Sequence, residues 1–358
     1  IIARAVGTGV GVNTYMARLY AQKMPGQAEE TAGTGTLLAL GTWFIFAIFS
    51  IFCMRPYVLT SANTPEAIES AVIYGQIVCI GSIGAFLEGN WTKVHQSRGN
   101  MHRPMVAQTV GALTNIVLDP ILIFGLGPVP ELGVAGAAYA TVCGQVAAAV
   151  ITSFGGVGRL PERTKMPLYI KQIYWFGYAS IIMQALFTVY IVILNAILAG
   201  FSDSAVTVLG LYYKMQTFFF IPLMGLQTCI VPVLSFNYAT KSYARCREIM
   251  RDSYGFSCVF MLVGVICFVF FPVQLLQVFS KSSEVIAIGK NAFPIIGASF
   301  IPAVFSLMTP VFFQAIGNGK ISLFLSVMRQ ICCLIPIFWL LSLIDLRFTW
   351  FAFPISEV

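Results

Sequence analysis

The chain has 358 residues and a net charge of +7, with 58% hydrophobic and only 10% charged residues. Soluble domains are close to one quarter charged, so this composition excludes a water-soluble globular protein, whose core would lack a polar shell. In a bilayer, helices satisfy their own backbone hydrogen-bonding groups. The sequence therefore predicts an all-α polytopic membrane protein.

Apolar segments follow one another along the whole chain, and most reach the roughly 20 residues that cross a bilayer. In chain order they cover residues 1–20, 34–54, 68–95, 104–126, 133–155, 173–200, 204–236, 255–279, 286–315 and 321–345, with a segment at 349–358 that is too short to cross. Fourteen Lys and Arg residues lie in the loops after segments one, three, five, seven and nine or at the segment ends that lead into them, and three lie in the other loops. Positive loops stay in the cytoplasm, so the basic charge is a topology signal and we expect no nucleic-acid partner.

The two halves of the chain resemble each other at a constant offset of 218 residues. Tyr20–Lys23 matches Tyr238–Lys241, and Gln96–Asn100 matches Gln314–Asn318. Coincidence in an apolar chain is the alternative explanation. A true repeat predicts two six-helix lobes in a parallel arrangement, with the substrate bound between them.

The repeat also predicts domain boundaries. The first lobe covers residues 1–158, a basic cytoplasmic linker with glycine and proline covers 159–171, and the second lobe covers 172–358. By this alignment the first helix and the end of the last helix lie outside the sequence. We therefore expect the chain to be a fragment that is inactive by itself.

Several stretches resemble the multidrug and toxic compound extrusion (MATE) transporters. They are Asn115–Gly125, Gly133–Thr141, Arg98–Asn100 with Pro104 and Met105, Gly7–Ala17 and Ala352–Ser356. The resemblance implies twelve helices in two lobes and export of organic, often cationic, compounds in exchange for Na⁺ or H⁺. A related branch of lipid flippases shares the fold.

Asp119 is the strongest candidate for cation coupling, because a carboxylate inside an apolar span must be paired, protonated or wetted. Asn115 lies one turn earlier on the same helix face, and Pro120 cannot donate to the Ile116 carbonyl. These oxygen groups suit a hard cation such as Na⁺, and a carboxyl group can also carry a proton. The alternative is a structural carboxylate that caps a kink or pairs with a base.

By resemblance, Thr141 adds a hydroxyl group and Ala137 a backbone carbonyl, so Asp119, Asn115 and Thr141 would bind the metal if the ion is Na⁺. The family also uses an acid on its first helix, which this chain lacks. At the repeat offset, Cys333 and Ile337 replace the polar pair, and the spans of the second lobe hold no central carboxylate. We therefore place coupling in the first lobe alone.

Four further polar residues are candidates for the substrate cavity. Glu88 either attracts a cationic substrate or pairs with Lys93 or a loop base near the cytoplasmic mouth. Lys214 lies about 15 Å into its helix, where it faces the cavity unless it snorkels to the surface. Gln184 and Gln216 either contact substrate or form hydrogen bonds between helices, which is the commoner role.

The sequence thus favours a secondary antiporter that exports amphipathic compounds by alternating access, with a flippase for a lipid-linked precursor as the alternative. We expect a monomer in the plasma membrane of a bacterium, with a small organic substrate, the bilayer as its surroundings and no cofactor beyond the coupling ion. A membrane enzyme would need convergent acid, base or metal groups, and the sequence shows no such motif. A receptor or channel is the other class, which the repeat does not favour.

Overall fold

The computed structural model describes residues 2–59, 65–125 and 130–357, and within these ranges it contains helices and turns but no β-strand. This confirms the predicted all-α class. The chain divides into two compact units, Ile1–Ile181 and Ile182–Val358. Residues 1, 126 and 358 of the predicted apolar segments lie outside the described ranges.

In its described residues the first unit contains six complete helices and the start of a seventh. They are α1 (Ile2–Ala21), α2 (Pro25–Leu59), α3 (Pro65–Gly81), α4 (Ile83–Ser97), α5 (His102–Phe124), α6 (Gly133–Ser153) and α7 (Met166–Ala199), which continues into the second unit.

The second unit continues with α8 (Asp203–Ala239), α9 (Tyr243–Phe270), α10 (Pro272–Phe279), α11 (Ser283–Gly297) and α12 (Phe300–Ala315). The next span is interrupted: α13 (Gly319–Val327) passes into a π-helical segment (Met328–Leu334) and then α14 (Ile335–Ser342). Two short helices follow, α15 (Leu346–Thr349) and α16 (Ala352–Glu357). The core of this unit is aromatic, and Phe268 stacks on Phe293 with ring centroids 4.9 Å apart.

Seven described helices are long and apolar enough to cross a membrane, and the number is nine if each of two bent pairs forms one span. The bent pairs are α3 with α4, at 43°, and α11 with α12, at 54°. Both bends fall at small residues, Gly81–Ser82 and Ala298–Ser299, where sharp kinks commonly occur. Of the ten segments that the sequence predicts as spans, α1 is the one that does not meet this criterion.

The internal repeat is visible in the local backbone of both units. Lys23 and Lys241, separated by the repeat offset, have φ angles of 59° and 60°, in the left-handed region that side chains other than glycine rarely adopt. Gly99 and Gly317 have φ angles of 75° and 79°. Matching positive φ angles at two pairs of equivalent positions are hard to obtain by chance. The repeat is therefore present in the backbone as well as in the sequence.

A side-chain contact repeats at the same offset. In the first unit the Trp91 indole N–H donates to the Thr36 hydroxyl at 3.0 Å, linking α4 to α2. In the second unit the Tyr254 and Thr309 hydroxyls, at equivalent positions of α9 and α12, are 2.9 Å apart. The residue types differ between the units, but a polar contact joins the equivalent pair of helices in each.

The connection before α7 packs against α2 inside the first unit. The Arg159 amide donates to the Glu29 carbonyl at 3.0 Å, and the Thr36 hydroxyl donates to the Val157 carbonyl at 3.0 Å. Because α7 begins at Met166, residues 166–171 of the predicted linker are helical. The predicted domain boundaries themselves remain predictions.

Candidate functional site

Two glycines bring α5 and α6 into close contact. A Cβ atom on Gly111 would lie 2.8 Å from the Gly144 carbonyl oxygen, and one on Gly144 would lie 2.6 Å from the Gly111 carbonyl oxygen. Only glycine permits this approach of two backbones. The contact fixes the spacing of the polar groups one turn away on each helix.

All four residues predicted to bind the coupling cation lie together at this contact. The Asn115 amide is 3.4 Å from a carboxylate oxygen of Asp119 and 3.5 Å from the Thr141 hydroxyl. The Thr141 hydroxyl donates to the Ala137 carbonyl at 3.0 Å. The cluster therefore joins a carboxylate, an amide, a hydroxyl and a backbone carbonyl from two helices.

The cluster is half-buried and loosely bonded. Asp119, Asn115 and Thr141 are each partly exposed, and the two Asn115 bonds are longer than the usual 2.9–3.0 Å for an N–H···O bond. No ion pair in the described part of the chain involves Asp119. The oxygen and nitrogen of an amide group are assigned from their hydrogen bonds. Rotation of the Asn115 amide group would place its oxygen, which can bind a cation, beside the Asp119 carboxylate.

The described residues contain no group of three His, Cys, Asp or Glu side chains able to hold a metal ion. A cation at Asp119 would therefore depend on neutral oxygen atoms besides one carboxylate. Such a ligand set fits Na⁺ or a bound proton better than a transition metal, which prefers imidazole or thiolate ligands.

Glu88 is buried in the first unit, with 8% of its surface exposed. Its carboxylate accepts hydrogen bonds from the Thr92 hydroxyl at 2.7 Å and the Gln108 amide at 2.8 Å. The Lys93 ammonium donates to Gln96 at 3.0 Å. These contacts connect α4 with α5, and the cavity role of Glu88 remains a prediction.

The other predicted cavity residues lie in the second unit, on α7 and α8. Lys214 is exposed, whereas Gln184 and Gln216 are half-buried. The structure does not bring Glu88 together with these three within one unit. Their role in binding substrate also remains a prediction.

The structure adds a polar centre in the second unit that sequence reasoning missed. The Arg329 guanidinium, on the π-helical segment, forms an ion pair with Glu357 of α16 at 2.7 Å, and the two side chains are 18% and 12% exposed. The Ser306 hydroxyl of α12 donates to the second Glu357 oxygen. Glu357 lies in the short segment 349–358 and not in one of the predicted spans, so our placement of coupling in the first lobe alone stays a prediction.

Glu357 was missed because it lies in the segment 349–358, which we dismissed as too short to cross. The sequence did contain a signal for this pair. Arg329 lies about ten residues into one apolar segment, and a basic side chain at that depth needs an acidic partner from another segment. The partner itself comes from tertiary packing, which brings α16 beside the π-helical turn.

The MatE family model matches residues 1–121 and 179–340. A FAD transporter of Shewanella oneidensis is 25% identical over 99% of this chain and 80% of its own length. The multidrug export protein MepA of Staphylococcus saprophyticus is 25% identical over 86% of this chain and 66% of its own length.

Solved structures share the fold. A MATE crystal structure matches with a TM-score of 0.88 at 22% identity, covering 99% of this chain and 82% of its own. A transporter of the MOP superfamily from Pyrococcus furiosus matches with a TM-score of 0.89 at 23% identity, covering 99% of this chain and 81% of its own. Because the family model covers most of the sequence, the chain belongs to the MATE family of multi-pass membrane transporters.

Proposed function

We propose that this chain forms the main part of a secondary exporter, which moves amphipathic organic compounds out of a bacterial cell in exchange for inward Na⁺ or H⁺. The names of its relatives support export of organic compounds: one is a FAD transporter and another a multidrug export protein. Both relatives come from bacteria, which supports a place in the bacterial plasma membrane. Neither name specifies a coupling ion.

The single observation that carries the coupling proposal is the cluster around Asp119. Its carboxylate takes part in no ion pair within the described residues, and its amide neighbour binds it at 3.4 Å. A carboxylate in an apolar span without a basic partner is costly as an anion. A bound Na⁺ or proton removes that cost, so occupation of the site by a cation is favoured.

Coupling requires that the cation and the substrate prefer different states of the transporter. A ligand shifts a conformational equilibrium only by its difference in affinity between the states. We propose that a cation at Asp119 favours one facing and substrate favours the other. The close α5–α6 contact would transmit this preference, because a change in the spacing of the two helices changes the ligand set.

The test uses the full-length gene product in proteoliposomes with a fluorescent cationic dye. A Na⁺ gradient and a H⁺ gradient are imposed separately, and Asp119→Asn is compared with the parent protein. We expect one gradient to drive dye export and Asp119→Asn to abolish driven export. Glu131→Gln is the matched control, because Glu131 is an exposed acid outside the helices and its charge is not part of the cluster.

The outcomes of this experiment distinguish a coupling role of Asp119 from a structural role, and an exporter from a flippase. Undiminished export by Asp119→Asn would show that Asp119 is structural. Equal losses in Asp119→Asn and Glu131→Gln would point to general charge effects rather than a site. Failure of every dye to move in the parent protein would favour the flippase alternative, and lipid-linked precursors would be tested next.

A further inference from the structure

The polar centre of the second unit consists of Arg329, Glu357 and Ser306, with Tyr190 and Tyr213 beside it. The Arg329–Glu357 pair at 2.7 Å is largely buried. Tyr190 lies within electrostatic reach of both charges. The Tyr213 hydroxyl is buried and interacts with Tyr190. The centre is therefore rich in hydrogen-bond donors, with Glu357 as its only acidic member.

The backbone at Arg329 is unusual. It lies in a seven-residue π-helical segment, Met328–Leu334, inside an apolar span. Single π-helical turns are rare and frequently occur at functional sites. The neighbouring Gln330 is buried, with 5% of its surface exposed, and its side-chain oxygen has no hydrogen-bond partner among the described residues. That oxygen is an acceptor, so a hydroxyl or N–H donor, and not an anion, would satisfy it.

The two charged groups of the ion pair differ in whether their protonation state can change. A guanidinium stays protonated at any physiological pH, whereas a carboxylate can take up a proton. Protonation of Glu357 would leave Arg329 as a buried cation without a counter-charge, which is strongly unfavourable. An anion from outside the protein would restore the balance. Protonation of Glu357 and binding of an anion at Arg329 must then favour each other.

We infer that the second unit holds an anion-binding site, in which a protonated Glu357 releases Arg329 to bind the phosphate or carboxylate of an aromatic substrate. This inference rests on the proposed export function and names a class of substrate for it. The guanidinium would bind the anion with two parallel hydrogen bonds. Ser306, Tyr190 and Tyr213 provide hydroxyl donors around it.

The aromatic part of the substrate class follows from the rings beside Arg329. Tyr190 and Tyr213 have ring centroids 6.4 Å apart, and Phe187 meets Tyr190 edge-on at 5.4 Å. Planar rings pair favourably with such a cluster. A flavin phosphate combines an aromatic system with an anionic group, and one relative of this chain is a FAD transporter.

Few other titratable groups face Glu357. Around it are Arg329 from the π-helical segment, Ser306 from α12, Tyr190 from α7 and Tyr212 from α8. Phenol and hydroxyl groups remain neutral in the physiological range. Among these groups Glu357 is the one carboxyl group.

The experiment measures binding of flavin mononucleotide and riboflavin to the purified full-length protein by flavin fluorescence, without any gradient. The two probes differ only in the phosphate group. At acidic pH we expect flavin mononucleotide to bind more tightly by at least about tenfold, and the preference should fall as pH rises. Titration of the phosphate itself works in the opposite direction, because it loses charge on acidification.

Variants assign the effect to the pair. Glu357→Gln should bind flavin mononucleotide tightly at every pH, and the proton uptake that accompanies binding to the parent protein should disappear. The double variant Arg329→Gln with Glu357→Gln carries no buried charge, so it should fold, and it should lose the preference for the phosphate. Equal binding of both flavins by the parent protein, or a phosphate preference that survives in the double variant, would overturn the inference.

The result is independent of the coupling site in the first unit. Asp119→Asn should bind flavin mononucleotide as the parent protein does, since Asp119 belongs to α5. Loss of driven export with intact phosphate preference would sustain both proposals. Driven export that is insensitive to Asp119→Asn, with intact phosphate preference, would remove the coupling proposal alone.

Discussion

Equivalent positions of the two units carry different polar side chains. At position 88 of the first unit a carboxylate is held by neutral donors, Thr92 and Gln108. At the equivalent position of the second unit stands Ser306, which holds the carboxylate of Glu357 from another helix. Both units thus hold one acid at the same point of the bent helix pair, and within the described residues an ion pair is formed by Glu357 and not by Glu88.

The helix that follows shows the same contrast. Gly111 of α5 allows the backbone of α6 to approach closely, whereas its repeat equivalent is Arg329, which reaches Glu357 at 2.7 Å. A small residue gives direct backbone packing, and a long charged residue replaces that packing with an ion pair. The repeat therefore preserves turns and helix order, while the polar groups at equivalent positions differ.

The largest effect should come from breaking the ion pair. Arg329→Met leaves Glu357 as a buried charge without a partner and should destabilise the protein by about 3–5 kcal/mol. Arg329→Met combined with Glu357→Met should recover most of that loss, because no charge is then buried. Unfolding in detergent at neutral pH measures both. A double variant as unstable as the single one would show that the pair acts through packing.

Closing the gap between α5 and α6 should have the next largest effect. Gly144→Ala places a Cβ atom 2.6 Å from the Gly111 carbonyl oxygen, and overpacking of this kind costs about 1–3 kcal/mol. Gly225→Ala is the matched control, because no atom lies within 4 Å of its added Cβ. Thermal unfolding should separate the two variants, and cation-driven export should fall only in Gly144→Ala. Equal stabilities would mean that the helices separate without cost.

The repeated polar link should contribute less. Tyr254→Phe removes the hydroxyl that meets Thr309 at 2.9 Å and should cost about 0.5–1.5 kcal/mol. Trp91→Phe removes the equivalent bond in the first unit and also buried ring area, so its cost should be larger. Because the two bonds lie in different units and share no partner, the double variant should show the sum of the two losses. A clear departure from additivity would reveal coupling between them.

Much of the fold follows from the sequence alone. Hydropathy and the alternation of basic loops predict the helices, and the repeat offset predicts equivalent turns, as the φ angles of Lys23 and Lys241 bear out. Asn115 and Asp119 are one turn apart on one helix, so their proximity is a local property of the helix. Thr141 and Ala137 came from family resemblance, because their approach depends on a second helix.

The polar centre of the second unit could not be predicted in this way. Arg329 and Glu357 are brought together by tertiary packing of two separate segments. The π-helical turn that carries Arg329 has no marker in the local sequence that distinguishes it from an ordinary apolar helix. Local patterns thus predict contacts within a helix well, whereas pairs between helices need the packed structure.

The smallest predicted effect tests the equivalence of the two turns. Lys23 and Lys241 have φ angles near +60°, which is unfavourable for a side chain and free of strain for glycine. Lys23→Gly and Lys241→Gly should each stabilise the protein by about 0.5 kcal/mol, since relief of strain outweighs the added freedom of the unfolded chain. Lys281→Gly is the control, because Lys281 is exposed and is not among the residues with positive φ, and it should be neutral or slightly destabilising. Thermal unfolding of all three variants measures the change in stability. A gain in stability at only one of the two turns would show that the two backbones differ. Equal gains would establish that the turns are energetically as well as geometrically equivalent.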